Sequence, residues 1–324
     1  MLKLINLSTF SHDLERFNYN SEEIISFLKK NNVDGIELLN SIEWDNKVIP
    51  KTLVKGIHLK YYPIWLDFWR KDNKKLIDQF ETKDNIERYY GGLSRKKIIE
   101  QYRKEIMVAS FIGAKYVVFH VSHVQLEHTY TYDFTYSDCE VIDATAELVN
   151  EVFKDLKTNV KLLFENLWWP GLTFLDKSMA MRLLEKVNYK NKGFMLDTGH
   201  LMNTNISLKD EKEAIEYLTN TISKLGELKN FIKGIHLSSS LSGSYVKEQI
   251  NKSKDKEKKL SYNEINKDVF IHIMNIDRHK PFKDKSISSL VDFIKPDYLI
   301  YEFITSSLEE LDDYIKIQDS ALES

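Results

Sequence analysis

The chain has 324 residues, a formal net charge of −3 and a sequence pI near 6.3, so no bulk basic charge marks it as a nucleic-acid binder, although a local basic groove is compatible with those figures. Hydrophobic residues make up 42% of the chain, enough for a sizeable core in one large α/β domain or two modest ones. The lone cysteine, Cys139, excludes an intramolecular disulfide and a multi-cysteine zinc site, and it points to a reducing cytoplasm.

The N-terminus, MLKLINLSTF, is too short and too polar for a signal peptide, and no run of ~18 apolar residues predicts a membrane span. Within it, LKLINLS at 2–8 is the first of eight short apolar runs. The others are GIELL at 35–39, KGIHL at 55–59, YVVFH at 116–120, VKLLFEN at 160–166, KGFMLD at 192–197, IKGIHLS at 232–238 and YLIYEF at 298–303. Each is too short for a helix and rich in Ile, Val, Leu or Phe, as expected of parallel strands buried on both faces.

Helical patterns fill most of the gaps. The first covers 21–31, with Ser21 as the expected N-cap and Glu22 and Glu23 in the first turn. Others cover 94–112, 141–156, 176–187, 210–229 and 308–320. Strands that alternate with helices imply right-handed parallel crossovers, and eight such units are the arithmetic of a (β/α)8 TIM barrel forming a single domain over 1–324. A doubly wound sheet would place a glycine-rich phosphate loop after an early strand, and the chain has neither GxGxxG nor GxxxxGK[ST]. Two segments break the rhythm as long insertions, about 66–93 and 239–276, the second containing the charged run SKDKEKK. Both follow strand C-termini, the face on which barrel active sites form.

Metal-type side chains sit at the ends of these runs. His58, His120, Glu165, Asp197, His236 and Glu302 close six of them, and His200 lies just beyond Asp197 in FMLDTGH. Any one such histidine is most simply a hydrogen-bonded core residue. Six strand ends of one barrel converge on a single mouth, however, and buried carboxylates and imidazoles cost several kcal/mol each unless paired or metal-bound. His and carboxylate donors suit zinc, manganese or iron. The segment NIDRHKPF adds Asp277 and His279, whose side chains would share one side of an extended backbone and reach one ion together.

These residues resemble the xylose-isomerase-like barrels, and within them endonuclease IV, the family 2 AP endonucleases. The resemblance rests on His58 followed by Tyr61, on HVSH with His120 and His123, on Glu165-Asn166 and on LDTGH. It continues with His236-Leu237, Asp277-Arg278-His279 and the final Glu302. It implies a trinuclear centre of up to three zinc ions, with manganese as the alternative metal. Glu165 would bridge two ions, His58 and His120 would complete the first, Asp197, His236 and Glu302 the second, and His200, Asp277 and His279 would hold the third. Glu165 and Glu302 are the expected catalytic carboxylates. Tyr61, Trp168 and Arg278 are the expected substrate contacts, with Lys60 and Trp169 beside them. Four departures fall outside the ligand set: the Pro-Gly of the second histidine motif is absent, KPFKDKS follows Asp-Arg-His, the insertion at 239–276 is longer than the family needs, and the DNA-intercalating loops find a counterpart only in Tyr61.

The implied activity is hydrolysis of a phosphate ester, with abasic-site DNA among the candidate substrates and no membrane partner. The alternative is a sugar isomerase or epimerase. It would use one divalent ion held by Glu165, Asp197, His236 and Glu302, with carboxylates shuttling a proton. A third reading, a binding or structural protein on a degenerate barrel, predicts the loss of some of these donors, and all are present.

Overall fold

Parallel hydrogen bonding joins eight strands in sequence order: β1 (Leu2–Ser8), β2 (Gly35–Leu39), β3 (Val54–His58), β4 (Tyr116–His120), β5 (Lys161–Glu165), β6 (Lys192–Asp197), β7 (Ile232–His236) and β8 (Tyr298–Tyr301). β8 pairs back onto β1 and closes the barrel. The computed structural model describes residues 1–254 and 262–323. All eight runs read from the sequence are strands, with ends displaced by a residue or two.

The two-residue period of the strands separates two cores. One set of alternating residues, including Ile57, Phe119, Phe164, Leu196, Ile235 and Leu299, faces the helices. The other set, Leu4, Tyr116, Val118, Leu163, Met195, Tyr298 and Ile300, fills the barrel interior. The residues two positions beyond Val118, Leu163, Met195 and Ile300 are His120, Glu165, Asp197 and Glu302. These four side chains are therefore the uppermost layer of the interior, set there by the same alternation that buries the layer below.

The predicted helices form as Ser21–Lys30, Lys96–Ile112, Asp138–Phe153, Lys177–Lys186, Glu211–Lys224 and Leu308–Leu322. The first is capped by Asn20 rather than Ser21: Asn20 has the extended backbone of a cap, and its side chain accepts the amide of Glu22, while Ser21 is already helical. The first insertion folds into three short helices, Leu66–Arg70, Asn73–Phe80 and Lys83–Tyr90, which bury Phe68, Trp69, Leu76, Phe80 and Tyr90. The second forms helices Gly243–Lys254 and Tyr262–Ile276; the run SKDKEKK begins at Ser253 in the first of these, and its part beyond Lys254 lies outside the described residues. No described helix is long and apolar enough to cross a membrane.

Candidate metal centre

His58, His120, Glu165, Asp197 and His236 are the last residues of β3, β4, β5, β6 and β7, and Glu302 is the first beyond β8. Register pairs His120 with Glu165 and Asp197 with His236, so these side chains rise as neighbours into the same mouth. His200 follows on the helix Thr198–Asn203, whose first turn Asp197 caps by accepting the His200 amide at 2.6 Å. Asn166 fixes the end of β6 in both directions: its side chain donates to the Asp197 carbonyl and accepts the Asp197 amide. Asn6 on β1 holds the backbone of Phe303 in the same way.

The nine predicted donors meet. His58 Nε2 and His120 Nε2 stand 3.1 and 3.2 Å from Glu165 Oε2. His236 Nδ1 stands 3.1 Å from Glu165 Oε1 and 3.2 Å from Glu302 Oε2, with Asp197 Oδ2 at 3.9 Å. Asp277 Oδ2 lies 3.1 Å from His200 Nε2 and 2.7 Å from His279 Nε2. The groups fall into three sets, His58–His120–Glu165, Glu165–Asp197–His236–Glu302 and His200–Asp277–His279, each with its donor atoms within 4.8 Å of one another. Donors ~2.1 Å from a tetrahedral ion are roughly 3.4 Å apart; here the groups stand mostly at hydrogen-bond distance, close enough together that each set could hold an ion. Asp197 Oδ2 and Glu302 Oε2 are buried and accept no hydrogen bond among the described residues, as acceptors reserved for a cation would be.

The second nitrogens of three of the imidazoles rest on backbone carbonyls. Nδ1 of His58, His200 and His279 donates to the carbonyls of Leu59, Asn166 and Glu302. Such bonds fix the tautomer and turn the other nitrogen toward the centre. His120 Nδ1 has no partner among the described residues, and the Tyr61 ring lies 4.3 Å from the His120 ring.

Among the described residues no lysine or arginine pairs with these carboxylates, so the compensating charge falls on the imidazoles, except His120, whose pKa burial lowers. Burial opposes charge on His58, but its hydrogen bond to Glu165 and the nearby carboxylates raise its pKa to about 9. Burial likewise opposes charge on His279, and Asp277 overrides it, giving about 10. His200 and His236 are raised well above the ordinary value by the same contest. For Glu165 burial is outweighed by His120 and His236, which hold it well below the usual carboxylate range, whereas burial drives Asp197 well above it. Protons on the imidazoles and divalent ions would answer the same excess of negative charge.

An aromatic and aliphatic cluster covers the mouth. It joins Val124, Leu167, Trp168, Trp169, Val246 and Ile276, with Tyr61, Tyr132, Phe134 and Tyr245 against them. Trp168 packs 5.2 Å from the His200 ring. Beneath it none of the nine donor residues has a side chain more than 11% exposed. Trp168 and Tyr61 thus lie beside the donors. Arg278 does not join them: it is exposed, and its guanidinium donates to the Asn275 carbonyl. The Lys60 amine lies over the Tyr62 ring. His123 accepts the backbone amides of Trp65 and Leu66 and so serves the first insertion.

Asp277 and His279 reach each other differently from the expected extended strand. The helix Tyr262–Ile276 ends just before them, and His279 has a left-handed φ of 46°. One residue escaped sequence reasoning altogether. Glu37, in the middle of β2, is fully buried, with Oε1 3.0 Å from His236 Nε2. The only sequence signal was a carboxylate inside the apolar run GIELL.

A closed barrel of eight parallel strands with a ring of histidines and carboxylates at the strand C-termini defines the class as a (β/α)8 barrel whose buried clusters could bind metal. The chain belongs to the xylose isomerase-like TIM barrel family, whose model matches residues 91–295. Among solved structures it is similar to endonuclease IV from Thermus thermophilus, at 14% identity and TM-score 0.51 over 99% of both chains. It is also similar to a provisionally assigned xylose isomerase from Rhodospirillum rubrum, at 9% identity and TM-score 0.53 over 98% of both. An L-ribulose 3-epimerase aligns at 13% identity and TM-score 0.49, over 98% of this chain and 94% of that one. At these identities the likeness is one of fold. No curated protein matches the sequence.

Proposed function

We propose that the chain is a metal-dependent phosphoesterase with a trinuclear divalent centre, of zinc or alternatively manganese. The observation that supports this reading most is the third donor set, in which Asp277 lies 3.1 Å from His200 and 2.7 Å from His279 beside the two sets that share Glu165. A single-ion isomerase has no use for it.

When bound, such ions supply hydroxide near neutral pH and neutralise charge on the phosphate. The protein's own part follows from its geometry. Glu165 turns one oxygen to His58 and His120 and the other to His236, so it belongs to two sets at once and orients what lies between them. Asp197 Oδ2 and Glu302 Oε2 accept no hydrogen bond among the described residues, and both lie within 4 Å of His236 Nδ1. The cluster around Trp168 limits water and substrate size, and it favours a small phosphate ester over an extended duplex. Tyr61 and Trp168 offer ring faces to a base or sugar.

The second reading, a sugar isomerase or epimerase, is favoured by one observation. Glu165, Asp197, His236 and Glu302 form a complete four-donor site under an aromatic cover. Elemental analysis of the purified protein separates the two, followed by turnover of small phosphate esters, an abasic-site duplex and a panel of ketoses. About three ions per chain with phosphate release supports the first reading. One ion with ketose interconversion overturns it.

A further inference from the structure

We propose that Glu37 is a positioning residue for the metal centre: its carboxylate receives the Nε2–H of His236 and so commits Nδ1 of that ring to the ions. The inference rests on the metal-centre reading above and deepens it.

His236 is fully buried, and its two nitrogens face opposite ways. Nδ1 meets Glu165 and Glu302 at 3.1 and 3.2 Å, and Nε2 meets Glu37 at 3.0 Å. Among the described residues, His58, His200 and His279 rest their second nitrogen on a backbone carbonyl, and His236 alone rests it on a carboxylate. A charged acceptor fixes one tautomer and raises the basicity of the opposite nitrogen, which strengthens a metal ligand. His236 belongs to the set that shares Glu165, so its orientation bears on the middle of the centre.

Glu37 is itself held from below. Its other oxygen accepts the Tyr116 hydroxyl at 2.7 Å, and Tyr116 is a fully buried residue of the barrel interior. Gly56, paired with Glu37 across β2 and β3, makes room for that ring: a Cβ at Gly56 would fall 2.2 Å from Tyr116. The path Tyr116–Glu37–His236 runs up the barrel axis from core to centre. Glu37 could also be read as a direct ligand, since it lies near His58 and His236. Against this, His58 gives one nitrogen to the Leu59 carbonyl and the other to Glu165, and His236 presents to Glu37 the nitrogen that points away from the other ligands.

The test is zinc affinity, measured on full-length protein by competition with a chromophoric chelator at neutral pH. Glu37→Gln keeps the shape and removes the charge. The expected result is an unchanged circular dichroism spectrum with one ion bound about 10- to 100-fold more weakly. A folded Glu37→Gln protein with wild-type affinities for every ion overturns the inference and leaves the metal-centre reading standing. Wild-type protein that binds no zinc overturns both. Histidine 15N NMR of the zinc-loaded wild type gives a readout independent of any variant's folding. A protonated Nε2 on His236 with a slowly exchanging proton supports the proposal, and a protonated Nδ1 refutes it.

Discussion

Asp277 Oδ2 lies 2.7 Å from His279 Nε2 across a turn in which His279 takes a left-handed backbone. The Nδ1 of His279 rests on the Glu302 carbonyl, which ties this turn to the end of β8. The third donor set is therefore built as a unit. His279→Ala should lower the metal content from about three ions to two and cut phosphate-ester turnover by ~100-fold or more, with little loss of fold. Elemental analysis together with kinetics checks it, and full metal content in the variant would count against a third site.

Glu165 is the one carboxylate shared by two sets. Glu165→Gln should abolish turnover while leaving the circular dichroism spectrum unchanged. Gln fills the same volume, but it offers only one acceptor atom where two oxygens now serve. Turnover within a few-fold of wild type would refute the role assigned to Glu165.

The pH dependence of the chelator-treated protein follows from the histidines. His58 and His279 have folded-state values of about 9 and about 10, above the ordinary 6.5. The folded state thus binds more protons than the unfolded chain between those limits. The stability these pairs contribute is fully present below pH 6.5 and is lost as pH rises through 9 to 10. Urea unfolding at pH 6 and pH 9 should show a decline of the order of a few kcal/mol. Zinc-loaded protein should lack this decline, because its ligands are already deprotonated. A metal-free protein that is equally stable at both pH values would contradict the assignment.

Gly56→Ala should destabilise the barrel by about 1–3 kcal/mol, since its methyl group would enter the Tyr116 ring. Thermal unfolding measures this. An unchanged midpoint would mean that the ring moves freely, which its burial in the barrel interior argues against.

The barrel was legible because most strand residues are buried on both faces and read as mostly apolar runs, and because the candidate donors stand at or near the ends of those runs. Glu37 was not, since a single carboxylate inside a short run looks like an outward-facing polar position until the barrel's closure shows which side is which. The helices between Leu66 and Tyr90 were also hidden. They are short and are interrupted by left-handed Lys71 and Glu81, residues whose types do not announce such turns. The link between Asp277 and His279 was anticipated on a backbone geometry that does not occur; the short spacing brought them together all the same.

The alternation that sets His120, Glu165, Asp197 and Glu302 two residues above the packed interior has an evolutionary corollary. A lineage could lengthen or trade the loops past the tips of β4 and β5 without displacing the donors on which those strands end, whereas the segments past β6 and β7 carry His200, Asp277 and His279 themselves. Deleting one residue within β4, β5 or β6 would instead swing that strand's donor outward to the helices. Drift in length should accumulate on one side of the ring only.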